Sequence, residues 1–242
     1  KEKEFADKLQ VNYERAIFGN TLMKNLGNGK FQEVSDQAKM ETFWPWGVAT
    51  GDFDQDGFED VFIPSGMGYP FPYWMNYLMM NNGNGTFSNR SREHGIEPPR
   101  LGIYLEKKIA REVAPRSSRC AATSDFDHDG RLDLIVNNFN DYPYYFRNNF
   151  PSKNYVAFKL SGTKSNRDAI GARVKIYFDN EVMVRQVHAA GGYLSQSSKT
   201  LHFGLGERSK IKGARIFWPS GIRQTIPSPS INQLHYVTEP KE

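Results

Sequence analysis

Short apolar runs of strand length, separated by clusters of Gly, Asn and Asp, recur along the whole chain. Val61-Phe62-Ile63 and Leu134-Ile135-Val136 are too short for a helix and are bounded by Pro64 and Asn137, so each predicts a strand. Toward the C-terminus, Tyr155–Leu160, Ala172–Tyr177, Val182–Val187 and Ala214–Trp218 alternate or run apolar over strand lengths. Asn28-Gly29 and Asn84-Gly85 each stand between an apolar segment and a Phe, a hairpin signal because both residue types accept positive φ. Residues 1–18 and 99–114 alone carry a partly helical pattern. These features predict an all-β protein built from short strands and Gly/Asn turns.

The pattern repeats. Thr21-Leu-Met-Lys-Asn-Leu-Gly-Asn-Gly-Lys-Phe31 returns as Tyr77-Leu-Met-Met-Asn-Asn-Gly-Asn-Gly-Thr-Phe87, 56 residues on, and Tyr144-Tyr-Phe-Arg-Asn-Asn149 is a third copy without the glycines. Periods of this size belong to propeller blades and similar arrays.

Two aspartate loops, 73 residues apart, carry the candidate chemistry: Asp52-Phe-Asp54-Gln-Asp56-Gly57-Phe58-Glu-Asp60 and Asp125-Phe-Asp127-His-Asp129-Gly130-Arg131-Leu-Asp133. A calcium ion takes six to eight oxygens, and alternate residues of a tightly curled loop aim three carboxylates at one point. Gly at the sixth position permits the turn, the carbonyl of Phe58 or Arg131 at the seventh faces inward, and Asp60 or Asp133 closes the cage at the ninth. An EF-hand would need a Glu at position twelve and flanking helices, whereas these loops have Ile63 and Val136 there and run into strands. Two calcium ions are therefore expected, held by Asp52, Asp54, Asp56, Phe58 and Asp60, and by Asp125, Asp127, Asp129, Arg131 and Asp133.

These residues resemble the FG-GAP/VCBS repeat family of calcium-binding β-propellers over roughly 17–149. Asn166–Val174, Gly192–Ser197, Leu201-His-Phe-Gly-Leu-Gly206 and Phe217-Trp-Pro-Ser-Gly221 are similar to the ASPIC/UnbV domain. The combination resembles the cartilage acidic protein-like family and its bacterial relatives. It implies a partial β-propeller at 1–149, about two blades and the tail of another, followed by a small β-sandwich-like ASPIC/UnbV domain at 150–242. Read from the residues alone, Gly171, Gly192, Gly204, Gly206 and Gly221 serve turns and bulges, and Phe203 and Trp218 fill the core.

A closed propeller of four to eight such blades needs far more than the roughly 150 residues that precede the second domain. The expectation is a fragment of a longer protein, or a chain whose propeller is completed by missing sequence or another subunit. Charge divides along the same line, with 17 basic against 21 acidic residues in 1–149 and 14 against 6 in 150–242. Two calcium ions would neutralise the first half, while the scattered cations of the second read as a solvated face. The single cysteine, Cys120, excludes an intrachain disulfide and falls in an apolar run before the second loop. No nucleophile elbow, phosphate loop, nucleic-acid motif or membrane-spanning run is present. His128, His188 and His202 read as structural. The aromatic clusters Tyr69–Tyr77 and Asp141–Phe146 suit blade packing or sugar and protein contacts. Arg100–Arg119 reads as an inserted recognition loop.

The reading is a non-catalytic, calcium-binding scaffold, secreted, periplasmic or on a cell surface, where calcium is near millimolar. Its partners are proteins or glycans, not nucleic acid, and the scarcity of cysteine points to a bacterial source. The alternative is a subunit or accessory domain of an extracytoplasmic or biosynthetic enzyme complex.

Overall fold

The computed structural model describes residues 19–66, 75–96, 108–109, 112–113, 117–139 and 142–241. Strands β1 (Met23–Gly27) and β2 (Lys30–Glu33) make a hairpin, and both Asn28 and Gly29 at its turn have positive φ, 53° and 72°. This is the conformation the right-handed strand twist demands of a two-residue loop. One helical turn, α1 (Ser35–Ala38), follows.

A four-stranded antiparallel meander comes next: β3 (Ala49–Gly51), β4 (Asp60–Ile63), β5 (Tyr77–Asn81) and β6 (Phe87–Asn89), in that spatial order. After the short pair β7 (Lys108–Ile109) and β8 (Glu112–Val113), a second meander runs β9 (Ser117–Ser124), β10 (Asp133–Phe139) and β11 (Tyr144–Phe146). The β7/β8 pair corrects the helical expectation for 99–114: its four described residues form an antiparallel ladder in which Lys108 faces Val113 and Ile109 faces Glu112. The β-branched Ile109 and Val113 favour that pleated arrangement over a helix. The helical pattern at 1–18, the cluster Tyr69–Trp74 and most of the Arg100–Arg119 insertion lie outside the described residues.

The 56-residue repeat is physical. Leu22 N–H donates to Ser35 Oγ at 2.7 Å, and Leu78 N–H donates to Ser91 Oγ at the same distance. Val34 N–H to Leu22 O and Arg90 N–H to Leu78 O repeat the next bond, at 2.9 and 2.8 Å. Both serines are buried, so each hydroxyl supplies an acceptor that a closing strand end would otherwise lack. Two apolar layers connect the units. Met40, Ile63, Tyr77 and Met79 pack where α1 meets the first meander, and Phe53, Phe62, Leu78, Leu134 and Val136 pack between the two meanders.

From residue 154 the chain forms two facing sheets. One has the order β15 (Leu201–Gly206), β12 (Asn154–Ser161), β18 (Leu234–Thr238), with β12 and β18 parallel. The other has the order β14 (Val182–Gln186), β13 (Arg173–Tyr177), β16 (Gly213–Phe217), β17 (Arg223–Pro227). Between them lie Val156, Phe158, Val174, Ile176, Phe203, Leu205, Ile216 and Trp218. Each such large apolar side chain contributes about 1.5–3 kcal/mol by leaving water. Phe203 and Trp218 fill the core as their sequence setting implied. The last turn is fastened by Glu239, a buried carboxylate that accepts the backbone N–H groups of Thr163, Lys164 and Ser165 and the hydroxyls of Ser165 and Ser220. The protein is thus all-β, in several sheets of which none closes on itself.

Candidate metal centres at the junction of the two β units

Each aspartate loop is the turn between the first two strands of a meander, β3 to β4 and β9 to β10. The loops curl by the same bonds. The first-position carboxylate receives the N–H groups of positions five and six: Asp52 from Asp56 and Gly57, both 2.9 Å, and Asp125 from Asp129 and Gly130, 3.1 and 3.0 Å. The ninth-position carboxylate ties the loop to its sheet. Asp60 accepts from Phe53 N–H and Asn81 N–H, and Asp133 from Phe126 N–H and Asn148 N–H, all at 2.8–3.1 Å. Gly57 and Gly130 take φ of 104° and 90°, where a side chain would be strained.

In the first loop, one carboxylate oxygen from each of Asp52, Asp54 and Asp56 comes within 4.8 Å of the others, and Asp125, Asp127 and Asp133 meet the same way in the second. Asp60 and Asp129 stand beside these groups. Asp129 is instead held by the Arg131 guanidinium, and Arg147 reaches both Asp127, at 2.6 Å, and Asp129, at 3.6 Å. In the first loop Lys153 lies 3.6 Å from Asp54, and Arg185 pairs with Glu59 at 3.4 Å.

The residues of the first loop fit a cation. Asp54 Oδ1 is buried and has no hydrogen-bond partner among the described residues. Burial, followed by the charge of Asp56, pushes the Asp52 carboxyl up to about 7, and burial pushes Asp60 up to about 8 against the N–H groups it accepts. Burial likewise raises Asp56, and Asp125 in the second loop. Negative charge without a counter-ion is costly in both loops, and a hard cation would relieve that cost. In the second loop two arginines already supply part of the counter-charge.

The C-terminal sandwich sits directly on these loops. Gln55, at the fourth position of the first loop with φ of 57°, is 1% exposed. Its side chain donates to Gly130 O in the other loop and accepts from Lys153 N–H, both at 2.8 Å, while its own carbonyl accepts from Gly206 N–H at 2.7 Å. His202 adds a second donor to Gly130 O at 2.8 Å. A carbonyl only accepts, so Nε2 carries the proton and Nδ1 is an acceptor, with no partner among the described residues. Burial holds the imidazole down at about 4 and neutral.

Close approach explains Gly204 of the Leu-His-Phe-Gly-Leu-Gly block, whereas Gly206 takes a φ of 58° with nothing nearer than 3.7 Å to its Cβ position. A Cβ on Gly204 would lie 2.1 Å from Asp52 Oδ2, and one on Gly130 would lie 2.2 Å from the Tyr155 ring, which stacks on His202. The Gly192–Ser197 block docks on the second meander, with Thr123 N–H donating to Ser197 Oγ and Ser198 N–H to Thr123 O. Beside it Tyr193 meets Trp46, and Arg119 lies over the Trp46 ring at 4.2 Å. Trp44, Trp46, Tyr193 and Leu194 are exposed.

His128 and His188 are exposed, and Cys120 is half-buried on β9. Tyr144 and Phe146 pack against the layer between the meanders, whereas Tyr142 and Tyr145 are exposed. The sequence reading missed Gln55, Gly204 as a contact and the Trp46/Tyr193 surface. The Gln-versus-His difference at the fourth loop position was the available signal for the first of these.

Repeated β meanders with paired acidic loops, capped by a seven-stranded sandwich, define a repeat protein with an appended β domain. Residues 7–63 match the family described as FG-GAP-like repeat, and residues 162–242 match the family described as ASPIC and UnbV. The chain thus matches an FG-GAP-like repeat in its N-terminal part and ASPIC and UnbV in its C-terminal part, the combination the sequence resembled. Among curated proteins it is similar to cartilage acidic protein 1 of Mus musculus, 28% identical over 81% of this chain and 29% of the relative. The proteins of that name from Homo sapiens and Xenopus tropicalis are 27% and 25% identical, over 81% and 92% of this chain and 28% and 42% of theirs. The chain therefore spans well under half the length of these relatives. Neither the family descriptions nor the relatives' names denote an enzyme. No helix among the described residues is long and apolar enough to cross a membrane.

Proposed function

We propose that the chain is a calcium-stabilised, non-catalytic interaction module that works outside the cytosol. The observation that carries this is the orphaned, buried Asp54 Oδ1 inside a three-carboxylate group that the sandwich covers. Asp52, Asp54, Asp56, the Phe58 carbonyl and Asp60 hold one ion. Asp125, Asp127, Asp129, the Arg131 carbonyl and Asp133 hold the other, more weakly because Arg131 and Arg147 compete for the carboxylates.

The ions hold loops and do no chemistry. Because Gln55 and His202 tie both loops to the sandwich, fixing the loops fixes the relation of 1–149 to 150–242, which we take as the two domains. The meanders are propeller blades, completed by further sequence or another subunit. Sites of this kind load near millimolar calcium, hence secreted, periplasmic or cell-surface placement. The exposed Trp44, Trp46, Tyr193 and Leu194 suit a protein or glycan partner, since aromatic faces give large contact area at little entropic cost.

Calorimetric titration of calcium tests the reading. Two sites are expected, the tighter abolished by Asp54→Ala and the weaker by Asp127→Ala. No heat of binding in a folded protein would reject it.

A further inference from the structure

The cations of the C-terminal half are scattered along the sequence, but strand pairing gathers four of them on one sheet face. Val174, Ile176 and Ile216 point into the sandwich core, so the residues alternating with them on β13 and β16 point outward. Arg173, Phe217 and Arg223 form one outward row across β13, β16 and β17, Lys175 and Arg215 stand in the next, and Tyr177 in a third. The three rows hold no Asp or Glu on any of the four strands. Arg173, Arg215 and Arg223 are exposed, and Lys175 is half-buried. With strands about 4.8 Å apart and alternate residues about 6.8 Å apart, the four backbone positions fall within about 12 Å of one another.

This gathering costs stability. Lys175 and Arg215 are direct cross-strand partners, a like-charge pair that weakens a sheet. None of the four cations is ion-paired among the described residues, and the acids of the adjoining β13–β14 turn are engaged elsewhere, Asp179 with Lys212 and Glu181 with Arg208. Aromatic rings hold the charged heads instead. Arg173, Lys175 and Arg223 lie 5.7, 5.5 and 5.8 Å from the centre of the Phe217 ring, and Arg215 lies 5.9 Å from that of Tyr177. Such contacts order the cations and leave their N–H donors unspent. An ordered, uncompensated set of guanidinium forks is complementary to closely spaced oxyanions, each fork taking two oxygens of one group.

We propose that the outer face of this sheet binds a strongly anionic polysaccharide laid across β13, β16 and β17. The flat face has no projecting element to enter a duplex groove, and its rings are already engaged by cations, which leaves no free platform for stacking bases. A bilayer would call for large apolar side chains among the charges, whereas the exposed Val182 and Val184 stand on β14, at the margin. The site is separate from the Trp46/Tyr193 surface, and the choice of a polysaccharide rests also on the proposed placement outside the cytosol.

The test is calorimetric titration of the whole chain with heparin at several salt concentrations, with neutral dextran, single-stranded DNA and phosphatidylserine vesicles as comparisons and calcium-dependent melting on the same samples. Heparin is expected to bind, more weakly as salt rises, and dextran to give no heat. Arg215→Gln should weaken heparin by roughly threefold and the combined Arg173→Gln and Arg215→Gln by about tenfold, whereas Lys159→Gln, exposed on β12 of the opposite sheet, leaves it unchanged. Should the double variant lose its melting transition, Arg223→Gln carries the test, with an expected loss of roughly threefold. Absence of heparin binding, an equal loss in Lys159→Gln, or tighter binding of the DNA or the vesicles overturns the proposal. Calcium-dependent melting without heparin binding rejects this face and leaves the scaffold reading standing. Heparin binding that the face variants weaken, without any calcium effect, does the reverse.

Discussion

Replacing Gln55 by Ala probes the junction most sharply. The substitution removes the donor from Nε2 to Gly130 O and the acceptor for Lys153 N–H, both at 2.8 Å and the first fully buried. Gly130 O keeps His202, but Lys153 N–H loses its partner. Two hydrogen bonds at about 1 kcal/mol each, with a further fraction for the orphaned group and the space left behind, give about 2–3 kcal/mol. In a chain of this size that lowers the melting temperature by roughly 5–10 °C. Urea unfolding and scanning calorimetry at saturating calcium read the loss. The loss should be non-additive with His202→Ala, because both side chains serve one carbonyl. A Gln55→Ala protein within about 0.5 kcal/mol of wild type would refute the idea that this side chain joins the loops to the sandwich, since that is the scatter of ordinary surface substitutions.

Other outcomes follow from the same geometry. Gly204→Ala should destabilise by about 2–3 kcal/mol and weaken calcium at the first loop, because the new Cβ would lie 2.1 Å from Asp52 Oδ2; unchanged melting and affinity would contradict it. His202 stays neutral when folded, with its acid constant held at about 4 against 6.5 in the unfolded chain. Its contribution is therefore complete above pH 6.5 and lost as pH falls toward 4, up to about 3 kcal/mol, and a His202→Asn variant should show a flatter stability curve over that window. Glu239, held at about 2 by the N–H and hydroxyl groups it accepts, contributes stability present above its unfolded value near 4.5 and lost as pH falls toward 2. Glu239→Gln should abolish that acid slope in equilibrium unfolding. Arg147→Gln should tighten calcium at the second loop by roughly threefold in calorimetry, because it frees Asp127.

Much of the architecture was legible because strand periodicity is local. The runs at 61–63, 134–136, 155–160 and 214–218 became β4, β10, β12 and β16 to within a residue or two at most ends. The Asn-Gly turn at 28–29 fell where its positive φ values required. Strands β15, β17 and β18 were not foreseen as strands. Leu-His-Phe-Gly-Leu-Gly is buried almost throughout and carries two glycines, so neither alternation nor propensity marks it. β18 is set by its parallel pairing to β12, some 77 residues away in sequence, which no local pattern records. In the loops, spacing revealed the aspartates that converge, but tertiary pairing decided how each is used. Arg131 and Arg147 draw Asp129 and Asp127 toward ion pairs, and Gln55 turns a loop position into a buried tie. Gly204 looked like a turn residue because sequence carries no trace of the Asp52 carboxylate beside it, whereas Gly130 takes the positive φ its loop position predicted and also lies against the Tyr155 ring.

Thermal unfolding of the whole chain in millimolar calcium against excess chelator tests the central claim most directly. Each occupied site adds about 2.7 kcal/mol at a hundredfold excess over its dissociation constant, so the melting temperature should climb with calcium, by roughly 10 °C when both sites fill. Both β units should melt in one transition, and the combined Asp54→Ala and Asp127→Ala protein should not respond. Superimposable melts in calcium and chelator, with the wild type folded in both, would contradict the account.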